Sequence, residues 1–130
     1  MGRNFQFRKG FTLLIDKNGH VRIGDDVFFN NYCTLCAMRE ITIGNGTIFG
    51  ENVKLYDHNH LYKDPIILIK EQGYTYDSIH IGNHCWIGSN VTILKGATIG
   101  DNCVFGAGCV VYKDVPPNSI LVNKQELLFK

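Results

Sequence analysis

The chain has 130 residues, enough for one domain with a modest core. Thirteen Lys and Arg against twelve Asp and Glu leave a formal net charge of +1, and no basic run stands out, which speaks against a nucleic-acid or anionic-membrane surface. The aliphatic run IILI at 66–69 is far too short to span a bilayer, and Arg3, Arg8 and Lys9 break the stretch where a signal peptide needs an apolar run, so the expectation is a cytoplasmic protein.

In chain order, residues 1–22 come first and are expected to form terminal strands or a cap. Within them LLIDKNGHVRI reads as strand, turn, strand. From Ile23 an aliphatic or aromatic residue returns every six positions: Ile23, Phe29, Leu35, and then Ile43, Phe49, Leu55. The two runs are offset by two residues, so AMRE at 37–40 holds a small corner insertion. After Leu55 the period stops, to resume at Ile81. The segment of about 58–78 is therefore expected as a loop thrown out of the repeat, and long loops on regular scaffolds commonly carry function. The period then runs unbroken through Ile81, Ile87, Ile93, Ile99 and Phe105. KDVPPNS at 113–119 is expected to end it, because proline cannot donate to a strand ladder. Residues 120–130 are left as a short C-terminal extension, with QELLFK a strand or helix.

A period of six fits neither an α-helix nor a plain strand. It fits a short strand followed by a corner. The residue four after each repeat position is also apolar, so it stands two before the next and shares one strand face with it. The slot between holds Asp26, Gly46, Asn52, Asn90, Gly96, Asn102 and Gly108, residue types that accept a positive φ at least cost. Three corners close a triangle, and stacked coils make a parallel β-helix.

The five cysteines are an odd number, which argues against a closed disulfide framework. CTLC at 33–36 has no second pair, so a zinc site is not expected. Cys33, Cys85, Cys103 and Cys109 all fall in the apolar slot four after a repeat position, which marks them as small packing residues.

The stretch IGNHCWIGSNVTILKGATIGDNCVFGAGCVVYKDVPPNS closely resembles the left-handed β-helix acyltransferases, nearest to the galactoside and maltose O-acetyltransferases and the sugar O-acetyltransferases of polysaccharide synthesis. The resemblance covers about 21–119. It implies an all-β, left-handed parallel β-helix over 23–119, a homotrimer, and acetyl-CoA held in a cleft between prisms. The activity implied is transfer of an acetyl group from acetyl-CoA to a hydroxyl of a sugar or sugar-nucleotide acceptor.

Such a transfer needs a base for the hydroxyl proton and a donor for the oxyanion. Imidazole suits the first near neutral pH, and LYDHNHL offers His58 and His60. Matched without a gap from Asn30, the family's catalytic histidine falls on His60 and its stabilising asparagine on Asn30, with His58 the alternative base. The same match implies that Trp86, Ser89, Ala107, Tyr112 and Lys113 contact the cofactor, Lys113 near a phosphate. Two departures stand out. The family's Gly-x-Pro turn after VPPN is missing, and so are most of the basic residues that follow it, so weakened contacts to the adenosine 3′-phosphate and weak CoA binding are expected. Met38 occupies the position of an acidic acceptor contact, so an acceptor other than a simple galactoside is expected.

Three other readings stay open on the sequence. One is a non-catalytic hexapeptide scaffold and another a sugar-nucleotide N-acetyltransferase. The third is a metalloenzyme like the γ-class carbonic anhydrases, with His80 and His84 as ligands. His84 falls in a corner slot and His80 between two inward residues, so neither belongs to a three-histidine set.

Overall fold

The computed structural model describes residues 1–130. Strands of two to four residues follow one another around a triangle, one on each of three faces. The first coil holds β1 (Gln6–Phe7), β2 (Thr12–Ile15) and β3 (His20–Ile23); the second holds β4 (Phe28–Phe29), β5 (Thr34–Ala37) and β6 (Glu40–Ile43). The third begins with β7 (Ile48–Phe49) and β8 (Lys54–Tyr56). It then throws out a loop carrying β9 (His58–His60), a 3₁₀ turn (Ile69–Glu71) and β10 (Tyr74–Tyr76), and returns through β11 (Ile79–Ile81). The fourth coil is β12 (Trp86–Ile87), β13 (Thr92–Ile93) and β14 (Thr98–Ile99). The fifth is β15 (Val104–Phe105), β16 (Val110–Val111) and a bridge from Val115 to Ile99; β17 (Ile120–Leu121) opens a sixth.

Each face is a parallel sheet built from one strand per coil. Face 1 is β1-β4-β7-β12-β15-β17, face 2 is β2-β5-β8-β13-β16, and face 3 is β3-β6-β11-β14. The fold is thus the expected all-β parallel β-helix with one extruded loop. Residues 1–22 form its outermost coil. Their strands pair in parallel with the coil above, not with each other as a hairpin.

The corners follow from residue chemistry. All seven corner-slot residues anticipated from the sequence have positive φ, from 56° at Asn52 to 85° at Gly96. Tyr32 and His84 occupy the same slot with φ of 62° and 53°. Tyr32 is tolerated because its ring lies over Gly10, where a Cβ would come within 2.3 Å of it.

Inside, every repeat position stacks on its counterpart. Phe29 and Phe49 lie face on face with ring centres 4.3 Å apart, and Ile87 and Phe105 continue the column. Such a pair contributes about 0.5–1.5 kcal/mol beyond its area. Phe5 and Phe11 pack on Phe29 and close the first end. The four slotted cysteines are buried, as anticipated. Cys33 and Cys85 each donate Sγ–H to a carbonyl of the next coil, Gly50 O at 3.1 Å and Gly100 O at 3.2 Å. Thr47 and Asp57 are the two buried polar side chains, and Thr47 is the one at an inward repeat slot. Its hydroxyl donates to Gly82 O at 2.8 Å and accepts from Cys85 N–H at 3.1 Å.

Two expectations at the C-terminal end are corrected. The repeat does not stop at the prolines, since β17 pairs with β15 beyond them. Pro116 and Pro117 lie in a corner, where no ladder donor is needed, and Asn118 takes the positive φ of the slot, 62°. QELLFK forms neither strand nor helix; its apolar residues are exposed, Phe129 at 92%. No helix is long and apolar enough to cross a membrane.

Candidate active site

The extruded loop leaves the prism at the corner between faces 2 and 3. Its root is tied by a backbone hydrogen bond from Asp77 N–H to Asp57 O at 3.0 Å, so the chain leaves and re-enters at one point. Beyond the root β9 and β10 pair antiparallel, with His60 opposite Tyr74 and His58 opposite Tyr76. The alternation of a strand sends the two histidines to one side of the hairpin.

Their surroundings differ. His58 has a side chain only 14% exposed, its Nδ1 lies 3.0 Å from Asp57 Oδ1, and Tyr74 meets its ring edge-on at 5.6 Å. His60 is exposed. Its ring centre lies 4.7 Å from that of Tyr74, and it lines a cleft of about 590 Å³ with Asn59, Lys63, Glu71 and Thr75. Gln72 shapes the far wall by donating to Asp64 O (2.9 Å) and Ile67 O (2.7 Å).

The corner between faces 1 and 2 carries a second group. Asn30, Gly50, Gly88 and Gly106 stack in one column, each N–H donating to a carbonyl of the coil above. Gly50 and Gly106 are half-buried beside Trp86 and Gly88 is buried between them, and Trp86, Ser89 and Ala107 line a groove of about 350 Å³ there. Trp86 is 57% exposed. Ser89 Oγ accepts from Glu51 N–H at 3.0 Å, which leaves its own proton free to donate. Asn30 Oδ1 accepts from Asn31 N–H at 2.8 Å, which leaves its amide N–H₂ free to donate.

Tyr112 and Lys113 follow β16, at the corner from which the His60 loop springs two coils below. They line a cavity of about 560 Å³ at the open end of the prism with Val111, Ile120 and Leu121. The expected site residues therefore fall into two groups. His58, His60, Tyr112 and Lys113 lie at one corner, and Asn30, Trp86, Ser89 and Ala107 at the other. Face 2 separates them by roughly 15 Å, the length of about five strand residues.

Two residues went unnoticed in the sequence, Asp57 and Tyr74. The signal for Asp57 is a carboxylate directly before the first histidine in YDHNH, at the point where the period fails. Tyr74 carries no comparable signal. His80, named above as a possible ligand, bonds Thr42 Oγ1 through Nδ1 at 2.7 Å and lies 3.7 Å from Glu40. No group of three His, Cys, Asp or Glu side chains is placed to hold a metal.

The family model for bacterial transferase hexapeptide (six repeats) matches residues 78–113. WbbJ of Escherichia coli K12, named as a lipopolysaccharide biosynthesis O-acetyl transferase, is 32% identical over 136 residues, covering 99% of this chain and 69% of that protein. A maltose O-acetyltransferase structure from Clostridium difficile 630 superposes with a TM-score of 0.84 at 32% identity, over 95% of this chain and 64% of that one. A hexapeptide-repeat acetyltransferase from Vibrio cholerae, solved with acetyl-CoA, gives a TM-score of 0.81 at 29% identity, over 95% and 65%. The chain spans about half the length of several other curated relatives, 53% and 49% in two of them. Its repeat, its prism and these likenesses agree: the chain belongs to the hexapeptide-repeat acyltransferases.

Proposed function

We propose that this chain transfers an acetyl group from acetyl-CoA to a sugar hydroxyl, and that it does so as a homotrimer. The observation that carries the reading is the division of the expected site residues between two corners of one prism. Each corner is half of a site. A cleft between two copies would set the His60 corner of one against the Asn30 corner of the next, which a closed ring of identical interfaces does three times over.

The residues fit the chemistry. The groove beside Trp86 is narrow, and it offers the Ser89 hydroxyl and glycine backbone to an extended amide-bearing arm such as pantetheine. Lys113 at the adjoining copy's corner would meet phosphate. The exposed His60 imidazole accepts the acceptor's hydroxyl proton as that oxygen attacks the thioester carbonyl. The amide N–H₂ of Asn30 donates to the oxyanion that develops. As the carbon–sulfur bond breaks, the proton held on His60 passes to the departing thiolate.

An acceptor screen with acetyl-CoA and free-thiol detection tests this reading. Thiol release that depends on a glycan or sugar-nucleotide acceptor supports it. Binding of acetyl-CoA without turnover on any acceptor would make the chain a scaffold.

A further inference from the structure

The most heavily bonded buried polar side chain lies outside the expected site. Asp57 is wholly shielded from solvent. Four donors converge on its carboxylate. Met38 N–H (2.8 Å) and His58 Nδ1 (3.0 Å) meet Oδ1; Arg39 N–H (2.7 Å) and Glu40 N–H (2.8 Å) meet Oδ2. The three amides belong to the corner that contains the two-residue insertion. The carboxylate thus fills a nest of backbone donors which the insertion creates.

A carboxylate that accepts two bonds at each oxygen has no role left as a donor. The imidazole nitrogen facing it must carry the proton, so neutral His58 is held as the Nδ1–H tautomer. The enclosed His58 ring meets Tyr74 edge-on at 85°, and Tyr74 packs against His60 across the β9–β10 pair. A continuous run of contacts therefore leads from the rigid second coil through Asp57, His58 and Tyr74 to the exposed imidazole.

We infer that Asp57 is a positioning residue for His60, acting through the fixed His58 ring and Tyr74 and touching no substrate. This rests on the reading of His60 as the base. It explains why an aspartate stands at the loop root. An asparagine would offer one accepting oxygen and turn its N–H₂ toward amide donors.

Three measurements on the intact protein test it. Long-range ¹⁵N–¹H NMR of the wild-type histidines should show His58 protonated at Nδ1; a neutral Nε2–H tautomer overturns the proposal. Tyr74→Leu leaves the Asp57 bonds in place and removes the ring. It should lower kcat by roughly 10–100-fold, the cost of misplacing a reacting group by about an ångström, with KM for acetyl-CoA unchanged. Tyr74→Phe keeps the ring and should recover most of the turnover. Wild-type kcat in Tyr74→Leu overturns the proposal. Asp57→Asn should lower kcat in the same way; if that variant does not fold, the spectrum and the Tyr74 pair still decide. Full activity in His60→Ala would remove the reading of the base and leave the His58 tautomer standing as a separate result.

Discussion

Asn30 and His60 stand at different corners of the same prism, with the breadth of β5 and β8 between them. No rotation of either side chain spans that width. If both serve one reaction, they come from different copies, and this can be measured by mixing. Asn30→Ala and His60→Ala are each expected to be nearly inactive alone. Unfolded together and refolded as mixed trimers, they should regain about a quarter of the wild-type rate, the statistical share of interfaces at which both residues are intact. A site within one chain would regain nothing. A monomer by light scattering at micromolar concentration would remove the shared cleft altogether.

The choice between the two histidines is kinetic. His60→Ala should lower kcat by roughly 10²–10⁴-fold, the usual worth of a general base, with acetyl-CoA affinity little changed. His58→Ala loses the packing between Asp57 and Tyr74 and should cost less. Near-wild-type turnover in His60→Ala beside an inactive His58→Ala would move the base to His58. Activity in both would end the histidine mechanism.

Trp86 is the only tryptophan of the chain and is 57% exposed in the groove. Its emission should therefore change as acetyl-CoA is added, without any acceptor. Ala107→Leu, which places a branched side chain in the same groove, should weaken that titration while leaving the melting temperature near wild type. An unchanged spectrum at saturating acetyl-CoA would place the donor elsewhere.

Ile99 is 2% exposed, on an inward position that pairs with Ile81. Ile99→Asp buries a charge with no partner and should prevent cooperative folding. Phe49→Ala removes a ring stacked on Phe29 and should destabilise the prism by about 3–5 kcal/mol, read from chemical denaturation. A cooperative melt of Ile99→Asp near the wild-type temperature would contradict the inward register.

Burial pushes the thiols of Cys33, Cys85 and Cys109 above the ordinary range. Below about pH 8.5, folded and unfolded chains both hold these protons and the contribution to stability is complete. As pH rises above that value the unfolded chain releases them first, so stability falls with pH until the raised folded values are reached. Denaturation midpoints should decline from about pH 8.5 upward, and less steeply in Cys33→Ala. A midpoint that is flat across that range would contradict this.

The prism was legible because its signal is periodic and made of steric demands. Asn52, Asn90 and Asn102 announce positive φ, and Phe29, Phe49 and Phe105 announce one inward column. The loop was legible only as a gap in that period. Nothing between Leu61 and Tyr76 repeats, so the opposition of Tyr74 to His60 needed coordinates. The same holds for the separation of Asn30 from His60. A match along the sequence aligns residues with a family but does not say which corner each one occupies. The end of the repeat is not legible from the prolines, because Pro116 and Pro117 occupy a corner, where a missing N–H breaks no ladder.

The tie between Asp57 and Asp77 makes the excursion between them a detachable module. Coils above and below stack through β8 and β11 whatever the intervening chain contains. Substitutions, insertions or wholesale exchange of residues 61–73 would alter the cleft beside His60 and leave the ladders of all three faces as they are. In such an architecture the shape of the cleft and the folding of the prism are inherited separately. Two chains with superposable prisms can carry unrelated clefts, each written in the one segment that does not repeat.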